Sequence, residues 1–269
     1  MIKYFAIIAI LLLTGCTTQN EPIQSHRSYE LQITSDTDNL QPQQQTTLTY
    51  KIKNDKGEIL KNYEIAHEKI MHLIVVRKDL QQFQHVHPEF DSLTGEFTVQ
   101  LTFPTEGPYR IFPDFTPGDD NPQKLAITVY EDINVGNIKN YKPTQLEPDA
   151  RVTKTVYGYE VAFNFLNLKS KQESQYSLSI KKNGQPVADL QQYLGALGHS
   201  VILKEGTLDF IHTHALEAGH SMGHGSVSSA KGPEIHFAAT FPEPGNYKIF
   251  TQFKHKGKVI TTDYVIEVS

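Results

Sequence analysis

Cysteine is almost missing from this chain. There is one, Cys16, and it lies in the N-terminal stretch, so the rest can form no disulfide and offer no thiolate. That excludes structural Cys-zinc sites, iron–sulfur clusters and blue-copper electron-transfer centres, all of which need cysteine. Any metal must be held by imidazole, carboxylate or thioether. Long apolar runs are also missing. The N-terminal run, Tyr4–Leu13, is too short to span a bilayer but matches a signal-peptide core. Positive charge is scarce too. The formal net charge is −5 and no basic stripe appears, which argues against nucleic acid as a partner.

What is present begins with an export signal. Lys3 supplies the positive start, and Leu13-Thr14-Gly15-Cys16 reads as a lipobox closing a lipoprotein signal peptide over residues 1–16. Cys16 is then expected to become the first residue of the mature chain and to carry lipid, palmitate included. This would anchor the protein to a lipid bilayer on the extracytoplasmic side of the cell envelope without spanning it. Residues 17–28 are polar and read as a flexible tether.

From Tyr29 the chain alternates apolar and polar residues over short runs, separated by Gly, Pro, Asp and Asn. Strands are expected at Tyr29–Ser35, Thr46–Lys53, Ile70–Arg77, Phe83–His87, Glu96–Phe103, Tyr109–Phe115 and Leu125–Tyr130. A second set is expected at Thr153–Leu166, Tyr176–Lys182, His199–Lys204, Leu208–His214, Glu234–Phe241, Tyr247–Lys254 and Val259–Val268. The fold class is therefore all-β, with two tandem immunoglobulin-like β-sandwich domains. Their expected bounds are 29–133 and 151–269, joined by a linker over 134–150 that has no periodicity.

The halves repeat each other. His72 and His199, His85 and His212, and His87 and His214 are each 127 positions apart, as are Gly57 and Gly184. Phe103-Pro104-x-x-Gly107-x-Tyr109-x-x-Phe112 recurs 138 positions later as Phe241-Pro242-x-x-Gly245-x-Tyr247-x-x-Phe250. Gly-x-Tyr entering a late strand resembles the tyrosine corner of immunoglobulin-like sandwiches. If His72 pairs with His85 across a two-residue turn at Lys78-Asp79, then His72, His85 and His87 share one face. The same pairing of His199 with His212, across Glu205-Gly206, gathers His199, His212 and His214. Three neutral imidazoles on one face are nearly a complete coordination shell for copper or zinc. One triad is expected on each domain. Against this stands the plainer reading of a polar sheet face, or of rings hydrogen-bonded for structural reasons.

Asp114 follows the repeated tyrosine and is a candidate fourth ligand, or an orienting group for an imidazole. Its counterpart is Gln252, a poor ligand, so the two sites should differ. The second copy carries an insertion within residues 215–232 containing His220, Met222 and His224 among Gly and Ser; thioether beside imidazole favours copper. Met71 beside His72 is expected to pack in the core. His67, His236 and His255 have no repeat partner and are expected at the surface or on strands, with His255 in a solvated turn. Gly219-His220-Ser221-Met222-Gly223 matches the nucleophile elbow of hydrolases. The motif needs a strand–turn–helix context, and the following Gly- and Ser-rich residues are poor helix formers. No enzyme activity is expected.

Three segments carry a resemblance: Met71-His72-Leu73-Ile74-Val75-Val76, then Phe83-Gln84-His85-Val86-His87-Pro88, then Phe103-Pro104 through Tyr109-Arg110-Ile111-Phe112 to Asp114-Phe115. Together they resemble a group of bacterial exported proteins, similar to YtkA-like and other small immunoglobulin- or cupredoxin-like domains. The resemblance implies copper handling. The expected function is an extracytoplasmic, membrane-anchored metal-binding protein, with copper preferred and zinc second, that buffers metal or delivers it to a transporter or another carrier. The alternative is a non-enzymatic adhesive or envelope-assembly module with structural histidines.

Overall fold

The computed structural model describes residues 29–119, 121–216 and 233–269, with the side chains of Asn140, His212 and His214 left aside. Cys16, the tether, and the inserted residues His220, Met222 and His224 lie outside the described residues, as does the Gly219–Gly223 motif.

The first half holds β1 (Glu30–Ile33), β2 (Gln45–Lys53), β3 (Tyr63–Glu64), β4 (His72–Arg77), β5 (Phe83–Val86), β6 (Glu89–Asp91), β7 (Glu96–Thr102), β8 (Gly107–Pro117), β9 (Ile127–Thr128) and β10 (Glu131–Val135). The second holds β11 (Thr153–Val156), β12 (Tyr159–Phe165), β13 (Glu173–Lys182), β14 (Gln185–Pro186), β15 (Gly198–Lys204), β16 (Phe210–Ala215), β17 (Glu234–Thr240), β18 (Gly245–His255) and β19 (Lys258–Val268). The protein is all-β, in two tandem immunoglobulin-like sandwiches.

In the first half, sheet β1-β2-β7-β6 faces sheet β10-β8-β4-β5, with β3 and β9 also paired to β8. In the second, β12-β13-β17 and β16-β15-β18-β19 repeat that order, but the end of β16 also pairs with β17 and joins both layers into one 9-stranded sheet. Alternation builds the cores. Along β2, Leu48, Tyr50 and Ile52 are buried while Thr47 is exposed and Thr49 and Lys51 are partly exposed, as period-two side chains require.

The repeated tyrosines form true corners. Tyr109 Oη donates to Thr105 O at 2.9 Å, and Tyr247 Oη donates to Glu243 O at 2.7 Å. Each lies against its phenylalanine, Phe103 or Phe241, with ring centroids 5.0 Å apart. Gly107 and Gly245 open the strand at φ of +139° and +136°, a conformation that L side chains rarely adopt.

Several expectations need correction. Both histidine hairpins are shifted by two residues. Ile74 pairs with His85, and His199 pairs with His214. The turns are four-residue loops, 78–81 and 205–208, closed by Arg77 N–H to Gln82 O and Lys204 N–H to Asp209 O. In the first loop, Asp79 is held by Arg77 through paired bonds of 2.8 and 2.9 Å. Leu80 and Leu208 adopt φ of 59° and 60° and bury their side chains, which offsets the strain. A two-residue slip preserves the face of every side chain, whereas a one-residue slip would reverse it. The stretch Thr153–Leu166 is a hairpin rather than one strand, turning at Tyr157-Gly158 with φ of 48° and 78°. Strand β10 carries the first sandwich to Val135, two residues into the expected linker. Further along that mostly exposed segment, Leu146 is buried and its N–H donates to Glu205 Oε1 at 2.7 Å.

The largest difference is a third core. Strand β4 is buried on both faces. Leu73 and Val75 point into the first sandwich, while Ile74 and Val76 join Leu80, Phe112, Leu146, Val201, Leu203, Leu208, Phe250 and Val265 in a cluster shared by both halves. Phe83 stacks on Phe250 at 4.2 Å, and the repeat-related pair Phe210 and Phe112 meets at 5.6 Å. The two contacts are exchanged by swapping the halves, so the domains meet across a pseudo-twofold axis in the manner of an isologous dimer. Burying a side chain of this class is worth about 1.5–3 kcal/mol, enough in aggregate to fix the mutual orientation of the domains.

Candidate metal centre

The histidine faces of the two hairpins are the same faces that make this third core, so the histidines meet between the domains. His72, His85 and His199 each offer one ring nitrogen, and the three lie within 4.8 Å of one another. His72 and His199 stack at 5.4 Å with rings 12° apart, and His85 lies 4.9 Å from His199. Two ligands come from the first half and one from the second. The sequence alone suggested one triad per domain; among the described residues the structure instead brings together a set that crosses the interface.

The protons on the rings can be placed. His72 Nε2 is 3.1 Å from Ala66 O. A carbonyl only accepts, so Nε2 carries the hydrogen and Nδ1 presents a lone pair. His85 Nδ1 is 2.7 Å from Gln252 Oε1, whose amide nitrogen donates to Thr261 Oγ1 at 3.1 Å. With the amide so placed, His85 Nδ1 carries the hydrogen and Nε2 presents a lone pair. These two lone-pair nitrogens, His72 Nδ1 and His85 Nε2, are 3.0 Å apart. Two lone pairs facing each other repel unless a cation lies between them. Ligand nitrogens about 2.0–2.1 Å from a tetrahedral ion are spaced by about 3.3 Å. The outer nitrogens are tied to oxygen acceptors, the arrangement that orients metal-binding imidazoles and raises their basicity.

His87 is the outer member. Its Nε2 is 3.2 Å from His72 Nδ1, and its ring is 4.8 Å from His85. Burial, reinforced by its neighbours His72 and His87, lowers the His85 pKa to about 3. Burial, with His72 and Lys69, lowers that of His87 to about 4. Both are therefore neutral near pH 7, the state that binds metal.

Asp114 pairs with His72 across the strands and is 5% exposed, but its Oδ1 accepts from Thr128 Oγ1 at 2.7 Å. It stands beside the converging nitrogens and is not one of them. Gln252, dismissed as a ligand, orients an imidazole of the other domain. His212 and His214 pair with Val201 and His199; their side chains lie outside the described residues. Met71 packs in the first core, as expected. His236 sits on β17 near Glu234. His255 is not in a solvated turn. It is 4% exposed, with Nδ1 2.7 Å from Tyr159 Oη and Nε2 2.9 Å from Asp189 Oδ1.

Sequence reasoning missed His67. Its ring centroid lies 5.7 Å from His199 and 6.1 Å from His72. It lines a pocket of about 230 Å³ that also reaches His72, Asp114, Lys69 and Lys124. It has no histidine counterpart in the repeat, so periodicity could not flag it.

A family described as a domain of unknown function (DUF8832) matches residues 25–132 and again 154–269. The chain belongs to this family, with two copies in tandem. No curated protein matches it. Among solved structures it is similar to a DUF4426 family protein from Pseudomonas aeruginosa, at 12% identity, over 43% of this chain and 94% of that one, with a TM-score of 0.32. It is also similar to the Escherichia coli adhesin FdeC, at 11% identity, over 90% of this chain and 64% of that one, at 0.26. A third is the D00-D0 domain of intimin, at 10% identity, over 89% and 99%, at 0.25. Likenesses this distant say nothing about function.

Proposed function

We propose that the protein is an extracytoplasmic metal-binding lipoprotein that holds a transition-metal ion between its two domains and buffers it or passes it to another carrier. One observation carries this reading: the lone-pair nitrogens of His72 and His85 face each other at 3.0 Å while their outer nitrogens are committed to Ala66 and Gln252. A metal ion answers both lone pairs at once. One N–H from His87 can serve His72 but not both. Copper is the first choice, because nitrogen sites bind it more tightly than zinc; zinc is the second. Lipidation at Cys16 would keep the site at a membrane surface. Among the described residues, no set supports catalysis better than binding, and a site built of imidazole suits exchange.

Metal analysis of protein purified from its native envelope tests the reading. Copper or zinc is expected near one equivalent or more, with a Kd in the micromolar range or tighter. Protein that retains neither metal and binds neither below millimolar would leave the histidines with a structural role, as in an adhesive or assembly module. Intact mass tests the anchor: a mature chain beginning at an acylated Cys16 is expected, and an unmodified chain cut elsewhere would refute it.

A further inference from the structure

Residues 66–69 form a tight hairpin turn that appears in both halves. Ala66 and Lys69 exchange backbone hydrogen bonds of 2.9 and 3.1 Å, and Tyr193 and Ala196, 127 positions on, form the same bridge. The turn residues differ. In the second half they are Leu194 and Gly195; in the first they are His67 and Glu68, at φ of 50° and 65°. Both central residues of such a turn need positive φ, and glycine meets that demand without strain. The first half uses a β-carbon at both positions. Strain of this kind costs of order 1–3 kcal/mol per residue and concentrates where function requires it.

The strained turn is also attached to the centre. Ala66 O fixes the His72 tautomer at 3.1 Å. His67 is half-buried, with its ring 6.1 Å from His72 and 5.7 Å from His199. Those spacings are close to the 5.3 and 5.4 Å that separate the His72 ring from His85 and His199. On its other side His67 lines the pocket of about 230 Å³ that reaches His72 from solvent.

We propose that His67 is a further metal ligand and the gate of the site: an ion enters through this pocket, binds His72, His85 and His199, and is closed over by the His67 imidazole. This rests on the cross-domain centre proposed above. His72, His85 and His199 supply three positions of a tetrahedral ion; His87 stands beside His72 Nδ1, and His67 comes from the side where the pocket opens. A ligand on a short, strained turn can leave and return without disturbing the sandwich. That allows a tight site to load and release within useful times. The second half, with Leu194-Gly195, contributes no such gate, so entry is from the first domain.

The test uses the full chain and Zn(II) or Co(II) alone. His67→Asn removes the imidazole while keeping a residue that tolerates positive φ. It should still bind the ion, about 10- to 100-fold more weakly by analogy with partners that support metal sites. Release to a chelator should be at least about tenfold faster. Bound Co(II) should become more sensitive to added azide, because the pocket side of the ion is then open. His67→Gly, which relaxes the turn, should behave the same way. Unchanged affinity, release rate and azide response in both variants would overturn the gate, while loss of binding in His72→Ala would show that the centre itself stands. Unchanged binding in His72→Ala as well would overturn both.

Discussion

The two domains share a scaffold and differ in what they hang on it. Each has the same strand order, the same tyrosine corner with a 5.0 Å Phe–Tyr contact, and a four-residue hairpin loop that holds a buried leucine at positive φ. Around the histidines they diverge. The first domain supplies His67, Asp114 and the close group of His72, His85 and His87. The second supplies His199 and Gln252, and carries Leu194-Gly195 where the first carries His67-Glu68. Duplication gave the pseudo-twofold interface; divergence made its centre unequal. A site on such an axis belongs to neither domain, and neither half alone explains its geometry.

That comparison can be broken in several ways. The largest expected effect is at the interface. Phe250→Ala removes the ring stacked on Phe83 at 4.2 Å and should cost about 3–5 kcal/mol of stability, read by chemical denaturation. The related Phe210→Ala, at the looser 5.6 Å pair, should cost less. Equal costs would mean that the two contacts are interchangeable and that the axis is more exact than the ring geometry suggests.

Acid should act through the first domain's histidines. Their folded pKa values are depressed, His85 to about 3 and His87 to about 4. The unfolded chain therefore binds protons first as pH falls. Their neutral state supports folding fully above the ordinary value of about 6.5, and that support drains away down to their folded pKa values. For His85 the loss between pH 7 and pH 5 should be roughly 2 kcal/mol in metal-free protein. His85→Phe should flatten this dependence. A metal-free protein equally stable at pH 7 and pH 5 would contradict the neutral buried cluster.

A smaller effect tests the second domain's contribution through Gln252. Gln252→Ala frees the His85 ring and should weaken metal binding about 10- to 100-fold. Gln252→Glu should instead tighten it, since a carboxylate makes the imidazole more basic. If both substitutions are silent in a competition titration, the 2.7 Å contact does not tune the ion.

The smallest expected effect tests the equivalence of the scaffolds. Tyr109→Phe and Tyr247→Phe each remove one corner hydrogen bond and should each cost about 1–2 kcal/mol. A large inequality would mean that one corner is more than a repeat of the other.

Much of this was legible in the sequence. Period-two alternation located most strands, and Gly-x-Tyr located both corners. The fixed spacing of 127 residues placed the histidines on matching faces even though the register was off by two, because side-chain direction repeats every two residues. The meeting of the domains was harder to read. Its trace was the unbroken apolar run Leu73-Ile74-Val75-Val76 and its relative Val201-Ile202-Leu203, which signals strands buried on both faces. A single strand pattern does not say which surface covers the second face. His67 had no periodic signature at all, because its role depends on a turn that breaks the repeat. Gln252 looked inert because its partner, His85, is 167 positions away.

The most direct test of the account is metal titration of the full chain in three variants: His85→Ala from the first domain, His199→Ala from the second, and the two combined. If one ion is shared, each single substitution should weaken the tightest binding event by at least about 100-fold, roughly 2.7 kcal/mol. The double variant should then be little worse than either single one, since both remove parts of one site. Full-strength binding in His199→Ala, with loss only in His85→Ala, would place the ion within one domain and contradict the shared centre.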